Sequence, residues 1–137
     1  MHYIAKVKKE NGFYLVAFPD FPNINTYGET KEEALRNAEE ALNGAIESDY
    51  NRNFDIPTPS KIIGKDYYPV YVESNIKIAY ILRQIRKEKS QHQIAKELGI
   101  TYQTYQKLEN PRKCNPTIKT LERIAKAYNK RIDVSIL

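Results

Sequence analysis

The sequence predicts an α+β protein, a small sheet-and-helix unit followed by an all-helical unit that ends in a strand. Three observations carry this expectation. Apolar and polar residues alternate through the first 28 residues and again at 67–73. Short helix signals, most with their own capping residue, recur after residue 74. Charge divides at the same place: residues 1–75 hold 8 Lys/Arg against 12 Asp/Glu, net −4, and residues 76–137 hold 14 against 5, net +9. Such a split points to two modules with different partners, over 1–73 and 74–137. A basic module suits a polyanion, and an acidic one suits a basic protein.

In the first module "HYIAKVKK" alternates, with Tyr3, Ala5 and Val7 on one face. Asn11-Gly12 is a strong hairpin signal because both residues tolerate positive φ. "FYLVAF" returns as a second strand, with Phe13, Leu15 and Ala17 on one face and Tyr14, Val16 and Phe18 on the other. Both faces are apolar, so each needs a cover, one of them from a partner. "NINTY" reads as a short third strand. Thr30-Lys31-Glu32-Glu33 is a capping box, in which the Thr hydroxyl bonds the N3 amide and Glu33 reaches back. The helix it opens runs to about Asp49, with Ala34, Leu35, Ala38, Ala41, Leu42, Ala45 and Ile46 as an inward stripe. Residues 51–67, with Pro57 and Pro59, read as an irregular connection. "YYPVYVE" is a fourth strand that Pro69 confines to an edge or a strand end.

In the second module Ile78, Ile81, Leu82 and Ile85 mark a first helix. "SQHQIAKEL", capped by Ser90, is a second, and Gly99 ends it. Thr101 caps a third and Thr117 a fourth. The tail "RIDVSIL" alternates Ile132, Val134 and Ile136 and reads as a terminal strand.

The 137 residues contain one cysteine, Cys114, so no internal disulfide can form, and no apolar run approaches a membrane span. A cytoplasmic protein with an inert thiol and no membrane association is the expectation. No zinc spacing, phosphate loop or nucleophile–base pair is visible, so neither a cofactor nor a metal is expected. His2 and His92 read as solvated side chains.

A short helix, a Gly turn and a second short polar helix form the helix-turn-helix plan. Gln91, Ile94-Ala95, Leu98-Gly99-Ile100, Tyr105, Leu108-Glu109-Asn110, Pro116, Leu121 and Ile124-Ala125 fall in one register. Over residues 76–128 this pattern resembles the phage-repressor-like (Cro/XRE) helix-turn-helix family. Ala95 is small where two helices cross, and Tyr105 and Leu108 pack inward from the third helix. Thr101, Tyr102, Gln103, Gln106 and Lys107 are left pointing out, with Gln suited to adenine and Lys to guanine or phosphate. By position the resemblance makes Gln91, Tyr102, Gln103, Gln106 and Lys107 DNA contacts, with Arg112, Lys113 and Lys119 serving the phosphate backbone. Tyr105 is bulkier than the branched aliphatic residue usual there. The terminal strand is an addition that pairs either within its own chain or with a second copy in a homodimer or higher oligomer.

In the first module, Phe18-Pro19-Asp20-Phe21-Pro22, Gly28-Glu29-Thr30, Glu32-Glu33-Ala34 and Asn37-Ala38-Glu39-Glu40-Ala41-Leu42 resemble the motifs of the HicB antitoxin family, and "IPTPS" (56–60) also fits. The resemblance covers residues 3–73, with Asn23 where Gly is common. It implies a partial RNase H-like fold and an antitoxin of a type II toxin–antitoxin pair. The antitoxin would neutralise a small basic HicA-like mRNA-cleaving toxin by covering its active site, and repress its own operon by binding operator DNA. Toxin contacts are expected at Tyr14, Val16, Phe18, Asp20, Phe21 and Glu29. Nuclease activity is not expected, because a two-metal site needs several carboxylates, one on the first strand, and residues 2–9 contain none. No catalytic residue is assigned. The competing reading is a phage-like repressor whose N-terminal unit senses a ligand or only oligomerises.

Overall fold

The computed structural model describes residues 1–137 and divides into two compact units, Met1–Ser74 and Asn75–Leu137. In the first, β1 (His2–Glu10) and β2 (Phe13–Phe18) form a hairpin whose turn residues Asn11 and Gly12 take φ of 51° and 82°. Positive φ at both positions is what a two-residue turn between right-twisted strands requires. β3 (Phe21–Gly28) pairs with β2 and is longer than its sequence signal, because Phe21 already pairs with Phe18 across a bulge. β4 (Tyr67–Tyr71) pairs with β1, which gives an antiparallel sheet of order β3-β2-β1-β4. Pro69 therefore lies on an edge strand, where its missing N–H can face away from the ladder.

α1 (Lys31–Asn51) crosses one face of this sheet. Thr30 Oγ1 accepts the Glu33 amide at 3.1 Å, and the Glu33 carboxylate accepts the Glu29 amide at 3.4 Å, one residue earlier than the capping box predicts. Ala34, Ala38, Leu42, Ile46 and Tyr50 are buried from the helix, and Tyr3, Ala5, Val7, Val16, Phe18, Ile24 and Val70 from the sheet. Each fully buried large apolar side chain here contributes about 1.5–3 kcal/mol. The close approach depends on Gly28: a Cβ there would lie 2.4 Å from the Ala34 amide nitrogen.

Asn43, buried in α1, is fully engaged. Its amide donates to Glu39 O and Tyr71 O, and its oxygen accepts the Glu73 amide. A polar group inside this layer is tolerated because each of these demands is met.

The second unit holds α2 (Ser74–Arg86), α3 (Gln91–Leu98), α4 (Tyr102–Leu108) and α5 (Ile118–Ala127). α3, α4 and α5 begin at Ser90, Thr101 and Thr117, each accepting the N3 amide at 3.0–3.1 Å. Gly99 ends α3 with φ 69°. Leu82, Ile94, Ala95, Leu98, Tyr105, Leu108 and Ile124 form the core. Ile81, expected on the inward stripe of α2, is 41% exposed. No helix is long and apolar enough to cross a membrane.

The expected terminal strand is not formed. Residues 130–137 have no regular structure, and Val134, Ile136 and Leu137 are exposed. Alternation alone cannot make a strand: without a neighbour to receive its amides and carbonyls, an extended segment gains no ladder hydrogen bonds.

Candidate nucleic-acid and protein interfaces

α3 and α4 are joined by the turn at Gly99, and Ala95, 2% exposed, lies in the core they share with Tyr105 and Leu108. A buried charge pair fixes the far side. Arg86 Nε and Nη2 donate to the two oxygens of Glu109 at 2.6 and 2.9 Å, in the fork geometry that only a guanidinium supplies. The bond to Glu109 raises the pKa of Arg86 further, so the guanidinium stays charged. Arg86 Nη1 also donates to Lys89 O, which ties α2 to the approach of α3. Tyr105 lies fully buried beside this pair. Its hydroxyl lies near Glu109 without a well-formed hydrogen bond, and burial, followed by interaction with the Glu109 carboxylate, pushes its pKa up.

The predicted contacts distribute as follows. Gln103, Gln106, Lys107, Arg112, Lys113 and Lys119 are exposed, and Tyr102 is half-buried. Thr101 spends its hydroxyl on the cap of α4, so its methyl is what it can offer a ligand. Gln91 is half-buried and donates one amide hydrogen to Glu109 at 3.2 Å, which holds it at the start of α3. Two participants were missed. His92 is not simply solvated, since its ring stacks on Tyr102 at 3.7 Å between centroids and 6° between planes. Arg123 donates to Leu98 O and closes the end of α3. Neither carries a sequence signal, because both contacts join residues on different helices.

The expected protein contacts of the first unit need correction. Val16, Phe18 and Phe21 are buried at 1%, 2% and 8% exposure, in the core that α1 covers. Tyr14 is half-buried on that same side. The two strand faces look alike in sequence, and only the position of α1 decides which is covered. Asp20 is engaged within the chain: Oδ2 accepts the Ser60 amide at 2.8 Å and Oδ1 accepts the Ser60 hydroxyl at 2.5 Å. Glu29 alone of the six is fully on the surface.

The open face instead presents Phe13, Leu15, Ala17 and Tyr27. Phe13 and Tyr27 meet edge to face at 5.8 Å, and Leu15 pairs across the ladder with Tyr27. Beside them is a shallow cavity of about 450 Å³ lined by Lys6, Lys8, Glu10, Leu15, Asn25 and Tyr27. Lys8 is paired with Glu10 at 3.7 Å, and the Lys6 ammonium lies over the Tyr67 ring. No three His, Cys, Asp or Glu side chains come together to hold a metal ion. Cys114 is buried, and burial raises its pKa, which disfavours the reactive thiolate.

Polar side chains projecting from a helix-turn-helix, joined in one chain to an α+β unit with one open apolar sheet face, define a two-part DNA-binding regulator. Residues 2–79 match the family model described as the HicB-like antitoxin of bacterial toxin–antitoxin systems, and residues 82–134 match a helix-turn-helix model. The chain belongs to the HicB antitoxin family, in a form that carries a helix-turn-helix DNA-binding domain. It is 32% identical over 127 residues to Antitoxin HicB 1 of Photorhabdus laumondii, covering 93% of this chain and 81% of that one. It is 30% identical over 126 residues to Antitoxin HicB of Escherichia coli K12, covering 90% and 89%. The crystal structure of the Burkholderia pseudomallei antitoxin HicB shares the fold, with a TM-score of 0.50 at 20% identity, over 77% of this chain and 90% of that one.

Proposed function

We propose that this antitoxin neutralises a small, basic, HicA-like mRNA-cleaving toxin by covering its active site, and that it represses its own operon through the second unit. The observation that carries the reading is the union in one chain of a HicB-like unit of net −4 and a helix-turn-helix unit of net +9. Opposite charges on two units suit one basic protein and one polyanion. No catalytic role is assigned to the antitoxin itself, which acts by steric cover.

The toxin-docking surface is the open sheet face, with Phe13, Leu15 and Tyr27 as apolar anchors in a mixed rim of Lys6, Lys8 and Glu10. An exposed apolar cluster rimmed by polar groups is the usual form of such a surface. The exposed acids of α1, Glu32, Glu39 and Glu40, add attraction at longer range. The tail carrying Ile132, Val134 and Ile136 pairs with its copy in a second chain, giving the homodimer that a palindromic operator needs. Gln91, Thr101, Tyr102, Gln103, Gln106 and Lys107 face the bases and their flanking phosphates, with Arg112, Lys113 and Lys119 on the backbone.

Co-expression with the small reading frame beside the gene tests the reading. Growth arrest relieved by the wild-type chain, but not by a Leu15→Asp/Tyr27→Ala variant that still binds DNA, is the expected result. A harmless neighbour, or one with no affinity for the purified protein, overturns it in favour of a plain repressor. Mass in solution before and after removal of residues 131–137 tests the dimer. On DNA, Gln103→Ala should relax sequence preference, whereas Lys119→Ala should weaken binding to all sequences alike.

A further inference from the structure

The first turns of α3 and α4 are both fixed by caps. Ser90 and Gln93 exchange reciprocal bonds at the start of α3, and Thr101 accepts the Thr104 amide at the start of α4. Across these two rigid turns His92 and Tyr102 lie ring on ring, nearly parallel. One turn further along α4, Gln106 Nε2 donates to the Tyr102 hydroxyl at 3.3 Å. His92 and Gln106 are exposed and Tyr102 is half-buried, so the array lies on the surface that the polar residues of α4 share.

We infer that His92 and Tyr102 are positioning residues that orient Gln106 to read adenine, so that base preference at one operator position is set by a residue on α3. This rests on the DNA-binding reading above. An unrestrained glutamine can turn its amide either way and offers donor and acceptor in either order. The Tyr102 hydroxyl narrows that freedom: it tethers one end of the amide, and in the arrangement observed it takes one of the two Nε2 hydrogens. The second Nε2 hydrogen and Oε1 remain, side by side, and these are the donor and acceptor that match adenine N7 and N6 in the major groove. Tyr102 can do this only while its ring is held. At the first position of α4 it has no preceding turn to pack against, and the imidazole supplies the missing wall. A parallel ring pair this close limits rotation of the Tyr102 ring through contact area. His92 thereby acts through two other residues without touching a base.

Selection of duplexes from a random DNA pool by the full-length protein, with competition binding on the selected site and its single-base variants, tests this. The wild type should select an A·T pair at one position per half-site, and Gln106→Ala should lose preference there alone. Tyr102→Phe keeps the ring and the stack but lacks the hydroxyl, and should cut the preference at that position about tenfold, the scale of one bidentate contact. His92→Ala should do the same, and His92→Phe, which restores the stack, should recover it. Thermal unfolding of each variant confirms that the helical unit is intact. A Tyr102→Phe variant that discriminates as well as the wild type overturns the inference. So does a His92→Ala variant that weakens binding equally on all sequences, because a phosphate contact or a folding role would then account for His92. Failure to enrich any sequence from the pool overturns the DNA-binding reading together with this one.

Discussion

The two units solve the problem of holding a small core by different means. In the sheet-and-helix unit the key side-chain bonds span long stretches of chain: Tyr3 to Pro57, Asp20 to Ser60, Asn43 to Glu73. In the helical unit the caps at Ser90, Thr101 and Thr117 span three residues each, and the buried Arg86–Glu109 ion pair, with the Arg123–Leu98 and Asn75–Pro111 bonds, joins the pieces. The first unit is therefore held mainly by bonds between distant segments, and the second leans more on local capping, with a buried ion pair as its clamp. Local contacts form with little loop-closure cost, so the helical unit should fold faster than the sheet unit.

The Arg86–Glu109 clamp carries the largest expected effect. Glu109→Ala leaves the Arg86 guanidinium without its partner in a site where Glu109 is 6% exposed, and should cost about 3–5 kcal/mol. Denaturant unfolding followed by circular dichroism should show an early helical transition, with the sheet transition unmoved. A shift of both together would show that the units are one cooperative system. Gly28→Ala is the corresponding change in the first unit. Its Cβ must displace the backbone of Ala34, and a loss of about 1–3 kcal/mol in the sheet transition is expected.

Asp20→Ala removes both acceptors of the Ser60 bonds at a half-buried site, and should cost the sheet unit about 1–2 kcal/mol. Rescue by Asn, which keeps one acceptor, should be partial. The smallest effect is at Tyr105. Its buried hydroxyl makes no well-formed hydrogen bond, so Tyr105→Phe should change stability by less than about 1 kcal/mol near neutral pH. Its pH dependence is the sharper readout. The folded pKa is raised above the unfolded value, so the stability it contributes is complete below about pH 10 and falls as pH rises beyond it. The Phe variant should flatten that alkaline decline, measured by denaturant midpoint against pH.

The same contrast explains what could be read from sequence. The N-caps Thr30, Ser90, Thr101 and Thr117, the Asn11-Gly12 turn and the Gly99 stop are written in residues close together in the chain, and these were legible. So was the polar outer surface of α4, which follows from a 3.6-residue period. Which face of β2 is covered was not legible, because Phe13-Leu15-Ala17 and Tyr14-Val16-Phe18 are almost equally apolar and α1 chooses between them. The His92–Tyr102 stack and the Ser60 partner of Asp20 escaped for the same reason: each joins residues that no period or motif relates. The tail from Lys130 shows the opposite error, a perfect strand pattern with nothing beside it to complete a ladder.

The bond between Asp20 and Ser60 has a consequence for how this family can be recombined. The turn at 18–22 and the segment at 56–60 lie on opposite sides of α1 in the chain, yet each completes the other's hydrogen bonding. Replacing either with a stretch that lacks the Asp or the Ser would leave the other side's polar groups without their partner. Chimeric antitoxins built to change toxin choice should carry both stretches from the same parent, whatever else is swapped between them.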